Sequence, residues 1–237
     1  METRAVSLNT GQLLVDKTED LSAPSALNLG TASAALVYDN SYFGATSPIL
    51  GTRYRLEADE NVGTLYWTNL LADYRKYIMP VMPFTLAGRI LHLGRYGRSA
   101  EDGRLYPLFL GYPDLVRGYQ YGTFSASEND LFNRLIGSKM LIANFELRFP
   151  LLGLFGIGEG YYGFLPIEFG GFFDTGLAWD SANKPWFAGG SRKPISSTGL
   201  VARINLFGYL IGEVDYVHPL DRPAKSWLWE FNFSQGF

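Results

Sequence analysis

Apolar and aromatic residues alternate with small or polar ones over many segments of about ten residues, the period of a β-strand whose two faces meet different surroundings. The alternation predicts strands at residues 33–43, 51–59, 64–78, 84–94, 138–149, 164–179, 197–206, 209–217 and 227–237, with a weaker one within 4–15. In the last of these, Trp227, Trp229, Phe231, Phe233 and Phe237 share one parity, while Ser226, Glu230, Asn232 and Ser234 share the other. Segment 209–217 sets Leu210, Val214 and Tyr216 against Glu213 and Asp215, and segment 197–206 sets Leu200, Ala202, Ile204 and Leu206 against Arg203 and Asn205. The chain therefore reads as all-β, in one structural domain.

Alternation alone suits both a soluble sandwich, with the apolar face inside, and a membrane barrel, with that face toward lipid. Strand length, aromatic residues near strand ends and unequal loops favour the barrel. Tight connections fall at Met79 to Pro83 and at Phe207-Gly208, and long ones at Arg95 to Gly137, Asp180 to Ser196 and His218 to Ser226; the 150–163 connection is intermediate. In outer-membrane barrels short turns lie on the periplasmic side.

Composition narrows the function classes. Charged residues are 18% of the chain, aromatics 16%, and 20 basic against 23 acidic side chains leave a net charge of −3. Without a basic cluster, nucleic acid is not an expected partner. The chain has no Cys, which excludes disulfides, thiolate metal sites and cysteine nucleophiles. The apolar run Phe149 to Gly158 is too short for a membrane-spanning helix, and residues 1–21 lack the basic start and apolar core of an export signal. Gly158 to Gly163 matches G-x-G-x-x-G without a following amphipathic helix, and Gly137-Ser138-Lys139 lacks the first glycine of a phosphate loop. His92 and His218 have no ligand-spaced partners, and no nucleophile elbow is present. We expect no metal, no cofactor and no enzymatic activity.

Four segments resemble the outer-membrane assembly-factor barrels, the BamA/TamA or bacterial surface antigen family. Gly111-Tyr112-Pro113-Asp114-Leu115-Val116-Arg117-Gly118-Tyr119 is similar to the family's loop signature of Val-Arg-Gly followed by an aromatic. Asn144 to Pro150 is similar to the strand after that loop, and Phe172-Phe173-Asp174-Thr175-Gly176 to the next strand's Phe-x-Asp-x-Gly pattern. Phe231 to Phe237 resembles the closing strand, so Trp227, Trp229, Phe231, Phe233, Gly236 and Phe237 are assigned to it.

The resemblance implies an antiparallel transmembrane β-barrel with a long inward-folded loop. It is partial, with about 9–10 strands, because the family's barrels carry more. It divides the chain into an N-terminal segment, 1–32, with a possible remnant of an earlier strand, and a C-terminal barrel portion, 33–237. The implied function is to aid insertion or translocation of polypeptides in the bacterial outer membrane, with membrane lipids and client polypeptides as partners. The alternative is a structural anchor or passive pore for an upstream soluble domain missing from this chain.

Strand parity puts Glu146 and Asp174 on an interior face. By parity alone, Arg117 is either a solvated loop arginine or the anchor of an inward loop. The family resemblance implies the anchor, with Asp174 as main partner and Glu146 in support, and it makes Val116, Arg117, Gly118 and Tyr119 the signature of the site. Gly118 would allow a tight bend or a close backbone approach.

Overall fold

The computed structural model describes residues 2–6, 13–18, 26–163, 165–223 and 225–235. Its main sheet is an antiparallel meander of nine long strands: β1 (Leu29–Asp39), β2 (Pro48–Gly63), β3 (Trp67–Val81), β4 (Phe84–Tyr96), β5 (Lys139–Pro150), β6 (Ile167–Trp179), β7 (Ile195–Leu206), β8 (Leu210–Pro219) and β9 (Leu228–Gln235). A short tenth strand, Tyr42–Phe43, pairs with β2 off this path. The sheet does not close: among the described residues, β1 and β9 are its edges, each paired on one side.

All nine expected strands are present, with shifted ends. The first begins at Leu29 rather than 33, and β2 and β3 reach 16 and 15 residues because pairing continues through Asn61↔Trp67. The weak N-terminal strand is two short strands, Glu2–Val6 and Leu13–Thr18, paired with each other. Gly236 and Phe237 of the expected closing strand lie outside the described residues.

Cross-strand register fixes the faces, since directly opposed residues point the same way. One face carries Leu36, Leu56, Tyr74, Ile90, Phe145, Phe173, Leu200, Trp229, Phe231 and Phe233, all exposed. On β9 the exposed aromatics Trp229, Phe231 and Phe233 are 63%, 66% and 69% accessible, whereas Glu230 between them is buried. The outward face is mostly apolar, whereas Glu146, Glu168, Asp174, Asp215 and Glu230 are turned inward and buried, the inverse of a soluble protein in the placement of its charges. Two histidines sit on the outer face near the long-loop end, each stacked on a tryptophan: His92 on Trp179 at 5.9 Å and His218 on Trp227 at 5.2 Å between ring centres.

Both ends of the interior are occupied. At the long-loop end, segment 97–138 folds inward as a small unit with a two-residue strand pair, Leu108–Phe109 with Ile136–Gly137, and a short helix, Asn129–Arg134. Its Leu110, Val116, Tyr119, Leu131 and Leu135 pack on wall residues Leu91, Ile142 and Ile195 in the largest apolar cluster. At the short-turn end, the β1–β2 connection crosses the interior. Ser47 Oγ lies 2.8 Å from both carboxylate oxygens of Glu168, the Ala45 carbonyl accepts from Asn205, and Thr46 is buried. The β7–β8 hairpin turns through Phe207 and Gly208, at φ 59° and 81°, the positive angles that let a two-residue turn follow strand twist.

Candidate functional site: the inward loop and its carboxylate wall

The site forms where the tip of the inward loop meets β5, β6 and β8. Asp174 lies five residues below the long-loop end of β6, about 17 Å along the strand at roughly 3.4 Å per residue. The Arg117 fork grips it with two parallel donors, Nε to Oδ2 at 2.7 Å and Nη2 to Oδ1 at 2.9 Å. Such a planar pairing fixes direction as well as charge. Nη2 is also 2.9 Å from Glu146 Oε1, and Nη1 is 3.3 Å from Asp215 Oδ1. Arg117 is 4% exposed and Asp174 fully buried, so the pair is shielded from solvent rather than solvated.

The spacing of the Phe-x-Asp-x-Gly strand now has a physical reason, because all three residues face inward and each meets one part of the loop tip. The Arg117 guanidinium carbon lies 3.5 Å from the centre of the Phe172 ring, in cation–π range. Asp174 takes the fork. Gly176 leaves room for the neighbouring residue, since a Cβ there would stand 2.7 Å from Val116 Cγ2. Gly118 adopts φ +89°, and a Cβ on it would meet Val217 at 2.9 Å; the backbone angle and the close approach both require glycine. Its N–H donates to Glu230 Oε1 at 3.0 Å. The hydroxyl of Tyr119 donates to the Ser196 carbonyl at 2.7 Å, and burial pushes its pKa up.

Arg117, Glu146 and Asp174 are thus brought together, and they belong to a wider network that sequence reasoning did not assemble. Asn144 donates to Asp174 at 2.8 Å and to the Leu115 carbonyl at 2.7 Å. Glu146 also takes Arg148 Nε at 2.6 Å and both terminal nitrogens of Arg203, at 2.9 and 3.0 Å. Arg203 continues to Glu213. Parity had put Arg203, Glu213 and Asp215 on the polar face; it gives a face, not a neighbour. Below this network a cavity of about 570 Å³ separates the loop tip from the Thr46–Pro48 crossing, and Arg53, Arg75, Arg89 and Arg148 line it. Among the described residues, no group of three or more His, Cys, Asp or Glu side chains is placed to hold a metal ion.

The loop is held from outside as well. Glu128 accepts from Arg222 Nε at 2.8 Å; that contact, with hydrogen bonds from Ser125, holds its carboxyl at about 2. For Glu101, burial pushes the carboxyl up, but hydrogen bonds from Ser181 and Ser138 outweigh it and hold the group at about 2. Neither Arg222 nor these two acids carried a sequence signal, because loops have no periodicity to read.

This geometry defines an antiparallel barrel segment whose interior is organised by an arginine-anchored loop. No protein-family model matches the chain, and no curated protein does. Among solved structures the fold is similar to that of BamA from Haemophilus ducreyi lacking POTRA domains 1–3, at a TM-score of 0.63 and 16% identity. The match covers 87% of this chain and 42% of that one, so the chain spans less than half the length of that relative. At this identity the likeness is one of fold.

Proposed function

We propose that the chain is part of a bacterial outer-membrane β-barrel that helps insert or translocate other polypeptides. The observation that carries the membrane reading is the outward face, where Leu36, Tyr74, Ile90, Phe145, Phe173, Trp229 and Phe231 are all exposed while the charge is turned inward. In water that surface would far exceed the apolar patches of ordinary monomers; in lipid it is the matching solvent. The His–Trp stacks near the rim suit the interfacial belt where such rings collect.

The assembly role rests on the edges. β1 and β9 each leave one side of the backbone unpaired among the described residues, and such an edge can take an incoming strand by β-augmentation. The braced interior gives that edge a rigid base, and no cofactor or chemical energy source is implied. Photo-crosslinkers placed along β9 in outer membranes should capture nascent barrel proteins. A folded barrel that captures none would overturn the reading in favour of a static anchor, which the density of interior ion pairs around Glu146 would also suit.

A further inference from the structure

Two residues of the connection between β8 and the edge strand β9, Asp221 and Arg222, are built into the inward loop. Arg222 is 1% exposed, and each of its five N–H groups has an acceptor. Nε donates to Glu128 Oε1 at 2.8 Å, and Nη2 to Glu128 Oε2 at 3.2 Å and to the Thr123 carbonyl at 2.8 Å. Nη1 donates to the Gly118 carbonyl and to Thr123 Oγ1, both at 2.9 Å. The guanidinium carbon also lies 4.3 Å from the centre of the Phe124 ring. Next to it, Asp221 accepts from the Ser196 N–H at 2.9 Å and from Arg134 at 3.1 Å, while its own N–H donates to the Tyr119 hydroxyl at 3.2 Å.

The Gly118 peptide is therefore gripped from both sides by the last hairpin: its N–H by Glu230 on β9, its C=O by Arg222 in the β8–β9 connection. β9 has no neighbour beyond β8 among the described residues; besides its pairing with β8 and the Asn232 donation to Asp215 at 3.3 Å, these contacts tie it to the inward loop. We propose that Arg222, with Glu128, is a positioning lock through which the inward loop holds the edge strand β9 in place, so that β9 moves away only when Arg222 leaves its socket. The lock uses other side chains than the Arg117 grip, which fixes the same loop to Glu146 on β5, Asp174 on β6 and Asp215 on β8. The inference deepens the assembly reading and rests on it for the purpose of edge movement; the coupling itself does not.

Because the coupling is a property of the chain alone, it is tested without a client, by amide hydrogen exchange on the full chain folded in detergent micelles. Arg222→Ala should raise exchange about tenfold or more in residues 118–128 and in 228–235, leaving β5 unchanged, because local openings are read segment by segment. Arg222→Lys keeps the charge without the fork and should restore protection only in part. Coupling free energies are reciprocal, so Glu230→Ala, made on β9 itself, should loosen 118–128. If Arg222→Ala loosened every strand, Glu128→Gln would decide: selective loosening of the same two segments supports the lock, and unchanged exchange overturns it. Loosening of 118–128 with β9 unchanged in Arg222→Ala would also overturn it. Failure to capture a client would bear on the assembly reading alone.

Discussion

The guanidinium of Arg117 lies 3.5 Å from the centre of the Phe172 ring while its fork closes on Asp174 two residues along the same strand. Two inward residues of β6 thus share one cation, one by its face and one by its charge. The loop tip is held in register with the strand as well as in contact with it.

Removing that cation leaves Asp174, Asp215 and Glu146 facing one another with fewer partners. Arg117→Ala should cost about 3 to 5 kcal/mol, the range for breaking a shielded ion pair on one side, against under about 1 for an exposed pair. Denaturant unfolding in micelles measures the loss, and proteolysis within 110–125 should become rapid. Arg117→Lys should fall between, because an ammonium cannot supply two parallel donors. Unchanged proteolysis of the Ala variant would show that the loop does not depend on this pair.

The two glycines at the contact make separate demands. Gly176→Val drives side-chain atoms into Val116 and Leu110, and overpacking of this kind costs about 1 to 3 kcal/mol. Gly118→Ala adds backbone strain at φ +89° to a clash with Val217, where the left-handed conformation alone costs about 1 to 2 kcal/mol. Thermal unfolding should show both losses, and Gly103→Ala, whose Cβ meets nothing within 4 Å, should show almost none.

At the other end, Gly44 lets the β1–β2 connection cross the interior, since a Cβ there would stand 1.9 Å from the Tyr162 hydroxyl oxygen. Gly44→Leu should therefore expel residues 45–48. Because the chain has no cysteine, Thr46→Cys is a clean probe. It should resist a water-soluble maleimide in the otherwise unaltered chain and react readily when Gly44→Leu is added. Equal reactivity in both would mean that the crossing does not depend on Gly44.

Acid should release the outer loops before it unfolds the sheet. Glu101 and Glu128 titrate at about 2 in the folded chain, below the ordinary 4.5. A depressed carboxyl contributes its stability fully above about pH 4.5 and loses it as the pH falls toward 2. Protection of residues 97–134 should be flat from pH 8 to 5 and decline below about 4.5, and Glu128→Gln should lower protection of 118–128 at neutral pH and flatten that decline.

Much of the fold was legible because a barrel wall repeats one rule: Trp229, Phe231 and Phe233 outward, Glu230 and Asn232 inward. The same rule named the interior carboxylates Glu146 and Asp174. It could not say that Asp215, two strands away from β6 in the sheet, would also reach Arg117, since that depends on curvature. Extension of β2 to Gly63 was missed because Glu60 and Asn61 look like loop residues until Trp67 pairs opposite them. The Thr46–Pro48 crossing and the Arg222 socket were invisible for a simpler reason: both are built on irregular backbone, more than 90 residues from their partners in sequence.

We propose that this sheet spans a lipid bilayer with its aromatic face outward, and a spin-label scan of β9 reads that placement residue by residue. Single cysteines at 228 to 234, labelled and reconstituted in bilayers, should alternate with a period of two. Labels at Trp229, Phe231 and Phe233 should be accessible to oxygen dissolved in lipid, and those at Glu230 and Asn232 shielded from it. Equal exposure of both faces to a water-soluble relaxant, with no alternation in lipid accessibility, would contradict the claim.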